Sequence, residues 1–357
     1  MTGENGAMVS LPLDPVPALP DGWSARVPTP EDLPALVTLG TARRTANRGS
    51  GSADPDAVTA EVLGRGSWTR RQAVAVDPAG RVRGWATVHD RAAGRTVVEL
   101  TVDPDLPDPD ADAVAAGLVP WLETVGLEYA AARGLAGTRL DALLDEGDER
   151  QRRWLEAAGY ACTRTWLNMG RPVAAGEDPP GPRAGVVVRR VGVHELPDGT
   201  TLPVAEDLQA VHRVLEESFE DHWGSYRESF PEFAQRLRED PGHRWDHWWL
   251  ALVEVDGAPM AGGALVSSVL PADAAGVEGT YLDYIGVHRR ARGLGVAKAL
   301  LHTMIRDAAE RGRDRVALEV DADSPTAADG LYRSMGWQTR YVTQSWQRDT
   351  GHYRATR

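Results

Sequence analysis

RRARGLGVAKALL, residues 289–301, sets three arginines and two glycines directly ahead of a run of small and apolar residues. Upstream, TYLDYIGV (280–287) is rich in β-branched and aromatic residues and reads as a strand. Downstream, VAKALLHTMIRDAAERG puts Val296, Leu300, Met304 and Ala308 on one helical face, with Gly312 positioned to end the helix. The loop therefore joins a strand to a helix N-terminus, where the first N–H groups lack intrahelical partners and the dipole is positive. Gly293 and Gly295 lack the β-carbons that would keep a phosphate from those donors, and Arg290 and Arg292 add full charges. A bare glycine pair would suggest only a tight turn; with the arginines and the strand–helix context it predicts a diphosphate cradle. Val296-Ala297 stand where a P-loop needs Lys-Ser/Thr, and Gly293-Leu294-Gly295-Val296-Ala297-Lys298 lacks the third glycine of a Rossmann fingerprint.

The totals bound what surrounds this loop. A chain of 357 residues suffices for two ordinary domains, each with its own core. Its net charge of -13 argues against generic nucleic-acid binding. No apolar run is long enough to span a bilayer, and the opening residues lack the basic start and apolar stretch of a secretory signal. Residues 1–20 are expected to be a flexible or extended lead-in. The single cysteine, Cys162, allows neither an intrachain disulfide nor a cysteine metal cluster, and the balance points to the cytoplasm.

A Pro/Gly-rich stretch, VAAGEDPPGPRA (173–184), reads as a linker, and the same order of elements flanks it. GWSARV and EDLPALVTL (22–27, 31–39) correspond to GVVVRRV and AEDLQAVHRVLEESF (185–191, 205–219). The hairpins 72–88 and 248–266 follow, then TVVELTV (96–102) and TYLDYIGV, each succeeded by a helix and a strand. Near the ends, RWLEAAGY (153–160) aligns with GLYRSMGW (330–337). This is an internal duplication of a mixed α/β unit, with domains expected at 21–172 and 185–357.

Arg290-Ala291-Arg292-Gly293-Leu294-Gly295, after Ile285-Gly286-Val287, resembles the acyl-CoA signature of the GNAT superfamily of N-acyltransferases. LEVDADSPTAADGLYRSMGW (318–337) resembles the same superfamily's strand, coenzyme-contacting loop, short helix and Leu-Tyr-x-x-x-Gly-aromatic ending. Likeness covers residues 185–357, in the manner of tandem members with one active half. It implies two GNAT-like α/β (α+β) domains, each a mixed, mostly antiparallel sheet flanked by helices, with a splayed parallel strand pair. It also implies acetyl-CoA as co-substrate, no metal, and direct transfer of acetyl to an amine. By the same resemblance, Ile285, Gly286 and Val287 hold the pantetheine, and Arg290, Arg292, Gly293, Leu294, Gly295, Val296 and Ala297 hold the diphosphate. Ser324 stands where asparagine is common, so that coenzyme contact is expected to be weaker or rearranged.

The chemistry sets what else is needed. A lysine-like amine with pKa ~10.4 is neutral in only about one molecule in 2,500 at pH 7, so deprotonation costs roughly 4–5 kcal/mol without a base. The departing thiolate is best released with a proton, which the resemblance assigns to Tyr332. For the base, Asp283 is the candidate. Period-two alternation places it with Tyr281 on the face of Ile285 and Val287. Tyr281 occupies a place where some relatives carry glutamate. Glu319 is a further candidate, set opposite Leu318 and Val320, and a water chain is a third route. A strand-end carboxylate paired with arginine is an equally good account of Asp283.

For the acceptor, FEDHWGSYRESF (219–230) offers Phe219, Trp223, Tyr226 and Phe230 as apolar surfaces and Glu220 and Asp221 as charge, a mixture suited to a small cationic amine. HRWDHWW (243–249) is better read as core at a strand start, and His222, His243 and His247 form no metal pattern. In the first half, VDPDLPDPDADAVAAGL (102–118) replaces the arginine–glycine loop with five aspartates and three prolines, and Leu155 aligns with Tyr332. One carboxylate ~4 Å from a phosphate costs about 4 kcal/mol at a protein surface, so this half is expected to be a degenerate copy. A non-catalytic acyl-CoA-binding protein and a protein lysine or N-terminal acetyltransferase remain as alternatives, and the chain is expected to be a monomer or homodimer without nucleic-acid or membrane partners.

Overall fold

The computed structural model describes residues 16–91, 95–219, 228–324 and 328–352. In the first half, β1 (Ser24–Arg26) leads through α1 (Leu33–Arg48) and α2 (Pro55–Val62) to β2 (Arg70–Val76), β3 (Val82–Asp90) and β4 (Arg95–Val102). Then come α3 (Asp108–Ala132), β5 (Gly137–Asp145), α4 (Glu149–Ala157) and β6 (Ala161–Pro172). The second half repeats the order. It runs through β7 (Val186–Arg190), a small separate hairpin β8 (Val193–Glu195) and β9 (Thr201–Pro203), α5 (Ala205–Phe219) and α6 (Phe230–Leu237). It continues with β10 (His243–Val255), β11 (Ala258–Leu270), β12 (Gly279–Val287), α7 (Val296–Glu310), β13 (Arg315–Asp321), α8 (Ala328–Ser334) and β14 (Gln338–Gly351).

Twelve strands form one continuous sheet in the order β1-β2-β3-β4-β5-β14-β6-β13-β12-β11-β10-β7. Each half's last strand has crossed into the other: β14 lies antiparallel between β5 and β6, and β6 lies antiparallel between β14 and β13. Pairing is antiparallel elsewhere, except for β4–β5 and β12–β13. The repeat in the sequence locates two similar halves but not this exchange. Periodicity reports which residues form strands; partners are chosen by contacts far along the chain.

Helices cover both faces. α7 buries Val296, Leu300, Met304 and Ala308, as its periodicity predicts, each of the three larger side chains contributing about 1.5–3 kcal/mol on leaving water. The helix ends where Gly312 takes φ +71°, its N–H reaching Ala309 O. On the opposite face, α5 and α6 pack Leu208, Val211, Leu215 and Phe233 against Trp248, while Trp249 joins the α7 side, so His247, Trp248 and Trp249 are core and Arg244 and Asp246 stay exposed. β10 and β11 are joined by Asp256-Gly257, both at positive φ, the two-residue turn that suits a twisted hairpin. The duplication extends to detail. Gly159 and Gly336 both adopt positive φ, and Tyr160 N donates to Leu155 O as Trp337 N does to Tyr332 O. Residues 16–20, expected within the lead-in, lie against α3: Leu19 packs on the core, and Ala18 O occupies the space a Cβ on Gly117 would need.

Candidate functional site

β12 and β13 pair in parallel only at Thr280–Val316, Tyr281–Ala317 and Leu282–Leu318. Beyond that point the strands separate, leaving the backbone edge of residues 283–287 without a strand partner on that side. Its other edge remains bonded to β11. Gly286 is buried against α5, where a Cβ would lie 2.9 Å from Ser218 Oγ, so its bareness serves close helix packing.

Arg289–Ala291 form a short 3-10 turn, and Gly293 and Gly295 follow at φ +82° and +86°, a region other residues enter at a cost. Gly295 caps α7. Arg292 N and Leu294 N make only long, 3.4 Å bonds to Arg289 O and Ala291 O. Among the described residues, the N–H groups of Gly293, Gly295, Val296 and Ala297 have no backbone acceptor. Four such donors thus lie within five residues at the positive end of a helix. Of the two predicted arginines, Arg290 forms an ion pair with Asp256 of the hairpin turn, which partly offsets its charge. Arg292 is exposed and forms no ion pair with a described carboxylate. Ser324, after β13, donates its N–H to Asp321 O in a tight turn.

Tyr332 extends from α8 into the α7-side core, is 6% exposed, and meets Trp337 edge-on at 5.9 Å. Its hydroxyl has no hydrogen-bond partner among the described residues, and burial pushes its pKa up to about 12, so it stays protonated at neutral pH.

The expected face of Asp283 needs correction. Val266 pairs with Tyr284 and Ser267 with Leu282, so Asp283 is an extra residue in a β-bulge. The bulge breaks the alternation: Ile285 and Val287 pack toward α7, whereas Asp283 faces α6 with Tyr284. Asp283 accepts from Ser268 Oγ at 3.3 Å. Burial, reinforced by the charge of Asp240, pushes its carboxyl up to about 8 against the opposing pull of Ser268 and Arg236. Tyr281 stays with Asp283, so it too lies off the face of Ile285 and Val287, its phenol raised by burial and by the charges of Glu319 and Asp283. Glu319, on β13, accepts from Thr343 Oγ1 (3.1 Å) and Asn168 Nδ2 (3.3 Å), and burial raises its pKa despite those bonds. The opened strands thus carry one carboxyl each on the α6 face, with Tyr332 on the other.

Three neighbours escaped the sequence reading. Asn168 comes from the exchanged β6, and Arg48 of α1 stacks 3.9 Å from the ring centre of Tyr341; only the cross-half pairing brings them near. Arg236 bonds Tyr284 Oη at 2.8 Å and Glu228 at 2.6 Å. Of the acceptor residues, Phe219 and Phe230 pack on the α5–α6 core, while Glu220, Asp221, Trp223 and Tyr226 lie outside the described residues. His247 is a buried, hydrogen-bonded side chain between Asp246 and Arg313. No group of three or more metal-ligating side chains is placed to hold an ion among the described residues, and no described helix is long and apolar enough to cross a membrane.

The first half differs at the matching place. Arg150 donates from α4 to Pro104 O and Leu106 O, both at 3.0 Å, and sits 3.2 Å from Asp108. The loop ahead of α3 is thereby tied to the protein's own side chain, and Leu155 is fully buried.

The model of the acetyltransferase (GNAT) family matches residues 208–337. The mycothiol acetyltransferase of Thermobispora bispora is 30% identical over 230 residues, 59% of this chain and 69% of that protein. A GCN5-related N-acetyltransferase from Sphaerobacter thermophilus shares the fold with TM-score 0.69 and 24% identity, over 95% of this chain and 100% of that one. A tandem GNAT protein from the clavulanic acid biosynthesis pathway does so with TM-score 0.64 and 12% identity, over 93% and 100%. With its opened parallel strands and glycine-led helix, the chain belongs to the GNAT family and is an N-acetyltransferase.

Proposed function

We propose that the second half binds acetyl-CoA and transfers its acetyl group directly to the amine of a small molecule. The observation that carries this reading is one coincidence: unclaimed amides at the start of α7 lie at the end of the strand whose edge is left open. Backbone groups of residues 285–287 would hold the pantetheine arm. The N–H groups of Gly293, Gly295, Val296 and Ala297, with Arg292, would hold the diphosphate. Tyr332 keeps its proton at Oη until the thiolate leaves, then delivers it to sulfur and recovers one from solvent. On the opposite face Asp283, with Glu319 as second choice, takes the proton lost by the attacking amine. A carboxyl poised near 8 is better matched to that task than an exposed one near 4. Asn168 and Thr343 then act as positioning residues that orient Glu319. Mycothiol acetyltransferase, as the name of a relative, makes a mycothiol-related amine the first acceptor to try.

The test is thiol release from acetyl-CoA by the purified protein against a panel of amines, repeated with Tyr332→Phe. The variant should lose about 10²-fold in kcat while acetyl-CoA affinity stays near wild type. Release with no amine in the panel removes the acceptor class; unchanged kcat removes the acid.

A further inference from the structure

We infer that Arg183, in the segment joining the two halves, is a phosphate ligand of the acetyl-CoA site; this rests on the reading above and adds a residue to it. The segment between β6 and β7 runs back along α7. Arg306 Nε donates to Asp178 Oδ1 at 2.7 Å and its guanidinium also reaches Pro179 O, while His302 Nδ1 donates to Pro180 O at 3.0 Å. Moving from Asp178 to Pro180 thus tracks from Arg306 to His302, toward the start of the helix. Three residues further on, Arg183 arrives over Gly295. A Cβ built there would lie 3.2 Å from Arg183 Cδ and 3.5 Å from its Nε. A turn closed by Val186 N to Arg183 O at 3.0 Å then sends the chain into β7.

That position is electrostatically odd for an unliganded protein. A guanidinium beside the positive end of a helix is repelled, and the exposed Arg183 forms no ion pair with a described carboxylate. By contrast, Arg290 of the loop ahead of α7 has its charge partly offset by Asp256. Open amides, Arg292 and Arg183 together form a set of donors with no internal acceptor, approached from two separate segments. A polyanion satisfies all of them at once, and a planar guanidinium grips phosphate in two-point fashion where a lysine cannot. Gly295 matters twice here: its conformation suits the turn, and its missing side chain lets Arg183 lie across the helix start.

The experiment measures acetyl-CoA affinity by calorimetry and turnover of acetyl-CoA and phosphate-free S-acetylpantetheine for wild type, R183K, R183A and R183E. Expected is a Kd for acetyl-CoA raised roughly tenfold by R183A and further by R183E, with R183K between. The salt dependence of Kd should flatten, and kcat/KM for S-acetylpantetheine should be the same in all four proteins. Wild-type affinity in R183A overturns the inference while leaving the acetyl-CoA site standing. Equal losses with both thioesters also overturn it, since they indicate a structural role. Failure of the wild type itself to bind acetyl-CoA overturns the underlying reading.

Discussion

Exchange Asp283 for asparagine and two properties should move in opposite directions. In the folded protein the carboxyl titrates at about 8, against 3.8 for the unperturbed group, chiefly because it is buried and secondarily because Asp240 lies near. Between those values the folded state holds a proton that the unfolded chain releases. Stability therefore falls as pH rises through this window and levels off above it. Counting from 3.8 to pH 7 at ~1.36 kcal/mol per unit, the buried carboxyl costs about 4 kcal/mol at neutral pH. Asparagine keeps the shape and an oxygen for Ser268 Oγ but carries no titration. Urea unfolding from pH 4 to pH 8 should show the two proteins equal at the acid end, with D283N pulling ahead by up to about 4 kcal/mol near neutrality. Meanwhile the rise in kcat/KM near pH 8, which requires the ionised carboxyl, should vanish from the variant's profile. Stability curves that run parallel at every pH would refute the burial argument; a preserved alkaline rise in activity would move the base to Glu319 or to water.

Other consequences are simpler to check. Glu239 is buried and accepts from Arg70 Nη1 at 2.6 Å and Thr69 Oγ1 at 2.9 Å across the two halves. E239A should cost about 3–5 kcal/mol in urea unfolding because Arg70 loses its closest carboxylate, with E239Q milder. Calorimetry should find one acetyl-CoA per chain, since Arg150 ties the first-half loop and no arginine–glycine cradle exists there; a second site of comparable affinity would contradict this.

Much of this architecture could be read along the chain because it is local. Strand, loop and helix around Gly293 follow from side-chain branching, apolar spacing and glycine geometry, and the buried stripe of α7 matches its pattern residue by residue. What escaped was everything decided by distant partners. A one-residue bulge at Asp283 leaves no mark in the alternation of TYLDYIGV, yet it turns the carboxyl to the opposite face. Nothing in the sequence around Asn168 marks it for the site; only the exchanged pairing brings it to Glu319. Arg183 is one charge in a proline-rich connector, and only the contacts of that connector with α7 bring it to Gly295.

The swapped β6 and β14 bear on how the protein is made. During synthesis the first 172 residues leave the ribosome with β5 paired on one edge only, to β4, and β6 with neither of its partners, because β13 and β14 come last. Exposed strand edges of that kind invite chaperones or aggregation while translation continues. Neither half should therefore behave as a well-folded fragment when expressed alone, but the two co-expressed as separate polypeptides have what they need to find each other. With β6 and β14 exchanged, neither half holds all the strands that complete its own part of the twelve-stranded sheet.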